Sequence, residues 1–247
     1  MTNKPCVVIP VYNHHEQLAV TLEALKQLQL PVIVVDDGNE LDAKDALHLI
    51  ADSYSATLLS HACNLGKGAA VKTGLVEARR MGFTHALQID ADGQHATADI
   101  PLFLAAMAES PNALIAGYPQ FDKSVPLFRY YGRYATHIWV WINTLSTTIR
   151  DSMCGFRLYP LNAACELFRS ENIGNRMDFD CEFIVRWYWR GLAIKQLQTK
   201  VIYPESGNSN FKLLRDNALI SWMHTKLFFG MLLRIPSLLR LRKVNRE

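Results

Sequence analysis

The first 120 residues alternate short, unbroken apolar runs with longer stretches in which apolar residues recur every three or four positions. Residues 6–11, 32–35, 56–59, 86–89 and 113–116 lack polar alternation, which predicts strands buried on both faces. Between them, Leu18, Leu22, Leu25 and Leu28 keep helical spacing, and 42–51, 68–81 and 99–107 read as helices. Strands separated by helices of this length imply an α/β fold, a mostly parallel sheet with helices on both faces. Beyond residue 120 the pattern is less regular, with helical runs over 127–149, 160–170 and 178–190 and a strand near 193–202. No repeat or linker interrupts it. The expected partition is one α/β domain over 1–210 and a helical C-terminal extension over 211–247.

Composition narrows the classes. With 247 residues, 49% hydrophobic and 20% charged, the chain belongs to a folded globular protein and not to a disordered one. Five cysteines, without a C-x-x-C pair or a Cys/His cluster, indicate neither a zinc site nor a disulfide framework. Reduced thiols and the lack of a signal-peptide pattern point to the cytoplasm. No run reaches the roughly 18–20 apolar residues that span a bilayer.

Charge adds a surface. Residues 211–247 carry eight basic residues against Asp216 and Glu247, a net +6, which leaves −3 of the overall +3 for residues 1–210. A basic segment rich in Leu, Phe and Trp fits attachment to the inner face of the cytoplasmic membrane; a terminal helix pair packed on the domain has the same composition. The body holds no basic run and no nucleic-acid motif, so nucleic acid is not an expected partner.

In parallel sheets, ligands bind beyond the carboxyl ends of the strands. Here those ends read Pro10-Val11-Tyr12-Asn13, Asp36-Asp37-Gly38-Asn39 and Asp90-Ala91-Asp92-Gly93-Gln94-His95. Four carboxylates on one edge repel each other unless a cation sits among them. Asp90 and Asp92, two apart around a turn, can direct both carboxylates at one hard ion, and Gln94 adds a neutral oxygen. Oxygen donors favour Mg2+ or Mn2+ over zinc, and such an ion would bridge a diphosphate. Asp37 is placed to accept from a base or a ribose hydroxyl, and Tyr12 to lie against a nucleobase. The segment Gly66-Lys67-Gly68 lacks the spacing of a P-loop.

These residues resemble the inverting glycosyltransferases of family 2, with the GT-A fold, and among them the polyprenyl-phosphate glycosyltransferases such as dolichol-phosphate mannose synthase. The matching stretches are Val8-Ile9-Pro10-Val11-Tyr12-Asn13, Val34-Val35-Asp36-Asp37-Gly38, Asn64-Leu65-Gly66-Lys67-Gly68 and Gln88-Ile89-Asp90-Ala91-Asp92-Gly93-Gln94-His95. Arg150-Asp151-Ser152-Met153-Cys154-Gly155-Phe156-Arg157 and Asp178-Phe179-Asp180-Cys181-Glu182 follow in the family's order. The resemblance implies that Pro10, Tyr12, Asp37, Lys67, Asp90 and Ala91 bind a UDP- or GDP-linked sugar. It implies that Asp90, Asp92 and Gln94 hold the metal, with Asp92 essential to catalysis. Arg150 would meet the acceptor phosphate, with Arg129 or Arg133 as a second cation and Cys154 where the synthases carry serine.

The expected activity is therefore a metal-dependent hexosyl transfer, with inversion, from a nucleotide-sugar to a lipid-linked acceptor such as a polyprenyl phosphate. A phosphate acceptor is already an anion. A hydroxyl acceptor on a glycolipid or glycan would need a base, and Asp180 is the candidate. A non-catalytic nucleotide-sugar-binding adaptor on the same fold is the third reading.

Overall fold

The computed structural model describes residues 3–120, 127–200 and 212–244. Seven strands form one sheet in the order β3-β2-β1-β4-β6-β5-β7. Strands β1 (Pro5–Val11), β2 (Val32–Asp36), β3 (Thr57–Ser60) and β4 (His85–Gln88) run parallel, as the apolar runs predict. Strand β5 (Leu114–Gln120) pairs in parallel with β7 (Ile194–Lys200) along its whole length. Between β4 and β5 lies β6 (Arg157–Pro160), antiparallel to both. No strand is expected there from the pattern, because its four residues carry a charged side chain and a proline. Reversal of β6 has one useful consequence. Its start, Arg157, lies on the edge where β1, β2, β4 and β5 end.

Successive residues of β1 point to opposite faces, and both faces are apolar. Val7, Ile9 and Val11 join Val34, Leu87, Ile115 and Leu158 in one core, which α1 (His15–Leu25), α2 (Leu41–Ser53) and α4 (Ile100–Glu109) cover. Cys6 and Val8 join Ile33, Val35, Ala86, Leu114 and Tyr159 in the other. That face is covered by α3 (Lys67–Arg80), α6 (Leu161–Ser170) and α7 (Phe179–Trp189). Helix α5 (Leu127–Thr144) packs on α7.

The C-terminal segment forms α8 (Leu213–Leu232) and α9 (Ile235–Val244). Helix α8 packs against α5 and α7, and Met223, Leu227, Met231 and Leu238 are buried in the second core. The segment is thus part of the packed body; the expected boundary at 210 lies outside the described residues. Among the described residues, no helix is long and apolar enough to cross a membrane.

Candidate active site

The strand ends are fastened to one another before any ligand is considered. Asp36 is fully buried, and its Oδ1 accepts from Asn39 N at 2.8 Å and Asn39 Nδ2 at 2.7 Å. Asn39 Oδ1 accepts from Asn13 N at 2.7 Å, where the backbone turns through φ 59° at the end of β1. Asp37 is buried as well. Its carboxylate accepts from Asn64 Nδ2 at 3.0 Å, Leu65 N at 3.0 Å and Gly66 N at 2.8 Å, and pairs with His61 Nδ1 at 2.8 Å. Asp37 thereby shapes the loop that delivers Lys67. Tyr12 is half-buried just past β1, Pro10 is buried within β1 opposite Val35, and Ala91 is buried in the turn after β4.

The glycines around Lys67 serve close packing. At Gly66, in the left-handed region with φ 108°, a Cβ would stand 2.5 Å from Asn175 O. The first turn of α3 is closed by the same loop, since Ala69 N donates to Asn175 O at 2.9 Å. Arg176 from that loop donates to Asn64 Oδ1 at 3.0 Å and Asn64 O at 3.3 Å.

Lys67 stands at the centre of the acidic group. Its ammonium lies 2.8 Å from Asp90 Oδ2 and 2.9 Å from Asp180 Oδ2, at the start of α7. Burial opposes the lysine's charge, but Asp180 and then Asp90 outweigh it and hold the ammonium above the usual lysine range. Burial likewise opposes the Asp90 charge. Lys67 and, next, His95 overcome that and keep Asp90 well below the usual carboxylate range. Asp90 Oδ1 also accepts from Gln88 Nε2 at 3.2 Å, and Gln88 Oε1 in turn accepts from Tyr159 at 2.8 Å. His95 stacks on Phe156 with ring centroids 5.2 Å apart, and its Nε2 lies 3.4 Å from Asp90 Oδ2. Asp92 sits half-buried in the turn, and its Oδ1 accepts the N–H of Gln94 at 3.0 Å.

A second group occupies the neighbouring loop. Asp151 is buried and receives Arg133 in a fork, Nε at 2.5 Å and Nη2 at 2.7 Å, with His137 Nε2 at 3.3 Å. Burial alone would raise the Asp151 carboxyl; Arg133 and His137 hold it below its ordinary range instead. Asp151 Oδ1 also accepts from Met153 N and Cys154 N. Cys154 is buried, and burial followed by the Asp151 charge pushes its thiol up to about 12, so it is an uncharged lining group. Arg150 is exposed. It donates to the Tyr118 hydroxyl at 3.0 Å and its guanidinium lies 5.1 Å from that ring's centre. The side chain of Arg129 lies outside the described residues.

Arg157 ties the two groups together, and the motifs alone did not single it out. It is fully buried and donates to Cys154 O at 2.8 Å, Ser152 O at 2.7 Å and Asp180 O at 2.7 Å. The available signal was an arginine among otherwise uncharged residues, since a buried guanidinium must find acceptors.

Oxygen donors from Asp90, Asp92 and Gln94 suit a hard divalent ion. Two buried polar atoms, Asp180 Oδ1 and His95 Nδ1, have no hydrogen-bond partner among the described residues. Among the described residues no three acids, histidines or cysteines form a ready cage. An ion held by Asp90 and Asp92 would therefore take its remaining ligands from water or a bound phosphate.

The glycosyl transferase family 2 model matches residues 6–173. The chain belongs to that family, and it is a glycosyltransferase. Human dolichyl-phosphate beta-glucosyltransferase is 30% identical over 207 residues, 74% of this chain and 62% of that protein. Polyprenol monophosphomannose synthase of Mycolicibacterium smegmatis is 25% identical over 69% of this chain and 63% of its own length. Among solved structures, glucosyl-3-phosphoglycerate synthase from Mycobacterium tuberculosis, in complex with Mn2+, UDP and glucosyl-3-phosphoglycerate, superposes with a TM-score of 0.67 at 17% identity, covering 94% of this chain and 80% of that one. The mannosyltransferase from Pyrobaculum calidifontis, in complex with GDP-Man and Mn2+, gives 0.57 at 13%, covering 98% and 74%. At these identities the likeness is one of fold, and the GT-A architecture is that fold.

Proposed function

We propose that this glycosyltransferase moves a sugar, with inversion, from a UDP- or GDP-linked donor to a polyprenyl phosphate at a membrane surface. The observation that carries the reading is the acidic donor group around Asp90 beyond the strand ends together with the exposed guanidinium of Arg150 on the loop before β6. Related proteins named for dolichyl-phosphate and polyprenol-phosphate transfer support the acceptor class.

The donor lies across the ends of β1, β2 and β4, with Tyr12 beside the base. Asp37 keeps the loop before Lys67 in place. Asp90, Asp92 and Gln94 would hold Mg2+ or Mn2+, which supplies charge stabilisation for the departing nucleoside diphosphate. Lys67 offers a further cation on the donor side. Arg150 offers the acceptor an exposed guanidinium suited to charge-assisted bonds with a phosphate. Arg133, forked onto Asp151, positions the acceptor loop more than it offers a free charge.

A hydroxyl acceptor would need Asp180 as base. Asp180 is buried, with one oxygen on Lys67, whereas a phosphate acceptor is ionised at neutral pH and needs no such group. The test is a panel of nucleotide-sugars with Mg2+ or Mn2+, scored for nucleoside diphosphate release with and without polyprenyl phosphate. Release that depends on the lipid phosphate is expected. Release driven only by a glycan or glycolipid hydroxyl would overturn the acceptor assignment.

A further inference from the structure

Lys67 is wedged between two carboxylates, and its ammonium is the nearest cation to each. Asp180 Oδ1 stands 4.0 Å from Arg157 Nη1, an ion-pair distance, and has no hydrogen-bond partner. Gly155 is pressed onto the pair: a Cβ there would come within 2.5 Å of Asp90 Oδ2 and 2.7 Å of Lys67 Nζ. Any side chain at 155 would therefore part the ammonium from Asp90. Two carboxylates brought this close repel strongly without a cation between them, so the ammonium supplies that cation. Yet Asp90 is also the carboxylate expected to hold the divalent ion. Its Oδ2 faces Lys67 and, at 3.4 Å, His95 Nε2, and its Oδ1 faces the Gln88 amide. An ion approaching Asp90 comes up against the charge of the ammonium, which opposes it unless Lys67 moves away.

We propose that Lys67 is the resident counter-cation of the ligand-free site, competing with the divalent ion for Asp90 and transferring to the donor diphosphate when that ion binds. The inference rests on the metal reading given above and adds an order to it. Ion alone binds weakly, because the ammonium released from Asp90 would keep only Asp180 as partner. Ion and nucleoside diphosphate bind cooperatively, because the diphosphate receives the lysine that the ion displaces.

The experiment is a titration of the full chain with Mn2+, free ion being read by electron paramagnetic resonance, with no added nucleotide and then with UDP or GDP. Lys67→Gln is expected to bind Mn2+ alone about tenfold more tightly than the unsubstituted protein. It should also gain less from the added nucleotide. Lys67→Met, which keeps the lysine stem without its charge, should behave alike and serves if the glutamine variant folds poorly. Arg176→Gln removes a cation that bonds Asn64 and not Asp90, and should leave Mn2+ affinity within about twofold. Equal or weaker Mn2+ binding by both Lys67 variants overturns the inference, as does an Arg176→Gln effect of the same size. If the unsubstituted protein holds no Mn2+ even with nucleotide, the metal reading falls first and takes this inference with it.

Discussion

Arg157 Nη1 donates to the main-chain oxygen of Asp180 at 2.7 Å, joining the start of β6 to the first turn of α7. The same guanidinium holds Ser152 O and Cys154 O, so one side chain sets the acceptor loop relative to Asp180. Arg157→Met would leave three carbonyls without their donor in a site with no exposed surface. We expect it to lower stability by about 3–5 kcal/mol, the range for breaking a buried charged network. Urea unfolding followed by circular dichroism measures this, and a loss under about 1 kcal/mol would show that the loop is held by other bonds.

The acceptor assignment turns on Arg150. Its side chain is exposed and bonded only to Tyr118 in the described structure, so Arg150→Ala should leave the fold unchanged. Loss of one charge-assisted contact predicts a rise in acceptor KM of about tenfold, with nucleotide-sugar affinity retained. Steady-state kinetics at varied acceptor and varied donor separates the two. A fall in donor affinity with the acceptor KM unchanged would move Arg150 to the diphosphate side.

Much of this arrangement is legible in the sequence, and what is not has a physical cause. Strands β1 and β2 announce themselves because their runs are apolar and buried on both faces, whereas β3, at the sheet edge, is only half-buried and not buried on both faces as its run predicts. The acids at their ends were correctly located by topology alone. What faces each acid was not legible. Asp37 reads as a ligand contact, yet its oxygens meet His61, Asn64, Leu65 and Gly66, all from a loop more than twenty residues away. Lys67 and Asp180 lie more than a hundred positions apart, and nothing in their spacing pairs them. Strand β6 escaped because it is short and begins with a charge. Its antiparallel place depends on β4 and β5, between which it pairs, and not on its own residues.

His224 gives the fold a dependence on pH that is separate from catalysis. It is buried between α8 and α5, with Nδ1 3.3 Å from Asn143 Nδ2, its ring against Trp139 and its Nε2 unpartnered. Burial lowers its pKa from 6.5 to about 4. Because the unfolded chain binds the proton more tightly, this residue's contribution to stability is complete above about pH 6.5. It is lost progressively as pH falls toward 4, by up to about 3 kcal/mol. His224→Gln, which can still pair with Asn143 but does not titrate, should flatten that part of the curve. Denaturant midpoints at pH 7.5, 5.5 and 4.5 test it. Parallel pH profiles for the two proteins would mean that the buried ring does not titrate in this window.

Helix α8 is apolar on two sides. One side carries Met223, Leu227 and Met231 into the core; the other presents Trp222 and Phe229, each 62% exposed, and Leu233 at 85%. At 100° per residue these last three fall within about 40° of one another, so they form a stripe and not a scatter. Exposed Arg240 and Arg242 follow on α9, and basic residues near an anionic leaflet contribute about 1 kcal/mol each. Under the proposed function a lipid-phosphate acceptor would place the site at such a surface, and the stripe would supply the apolar contact. Cutting away α9 is a poor test, because Leu238 is fully buried and its loss would open the core. The double variant Trp222→Ser/Phe229→Ser changes only the outward stripe and should unfold at nearly the same denaturant concentration as the unsubstituted chain. Flotation with phosphatidylglycerol-rich vesicles at low salt should carry the unsubstituted protein up and leave most of the double variant below, with high salt weakening the first. Equal flotation of the two would assign the attachment to another surface, and no flotation of either would leave α8 as a packing helix alone.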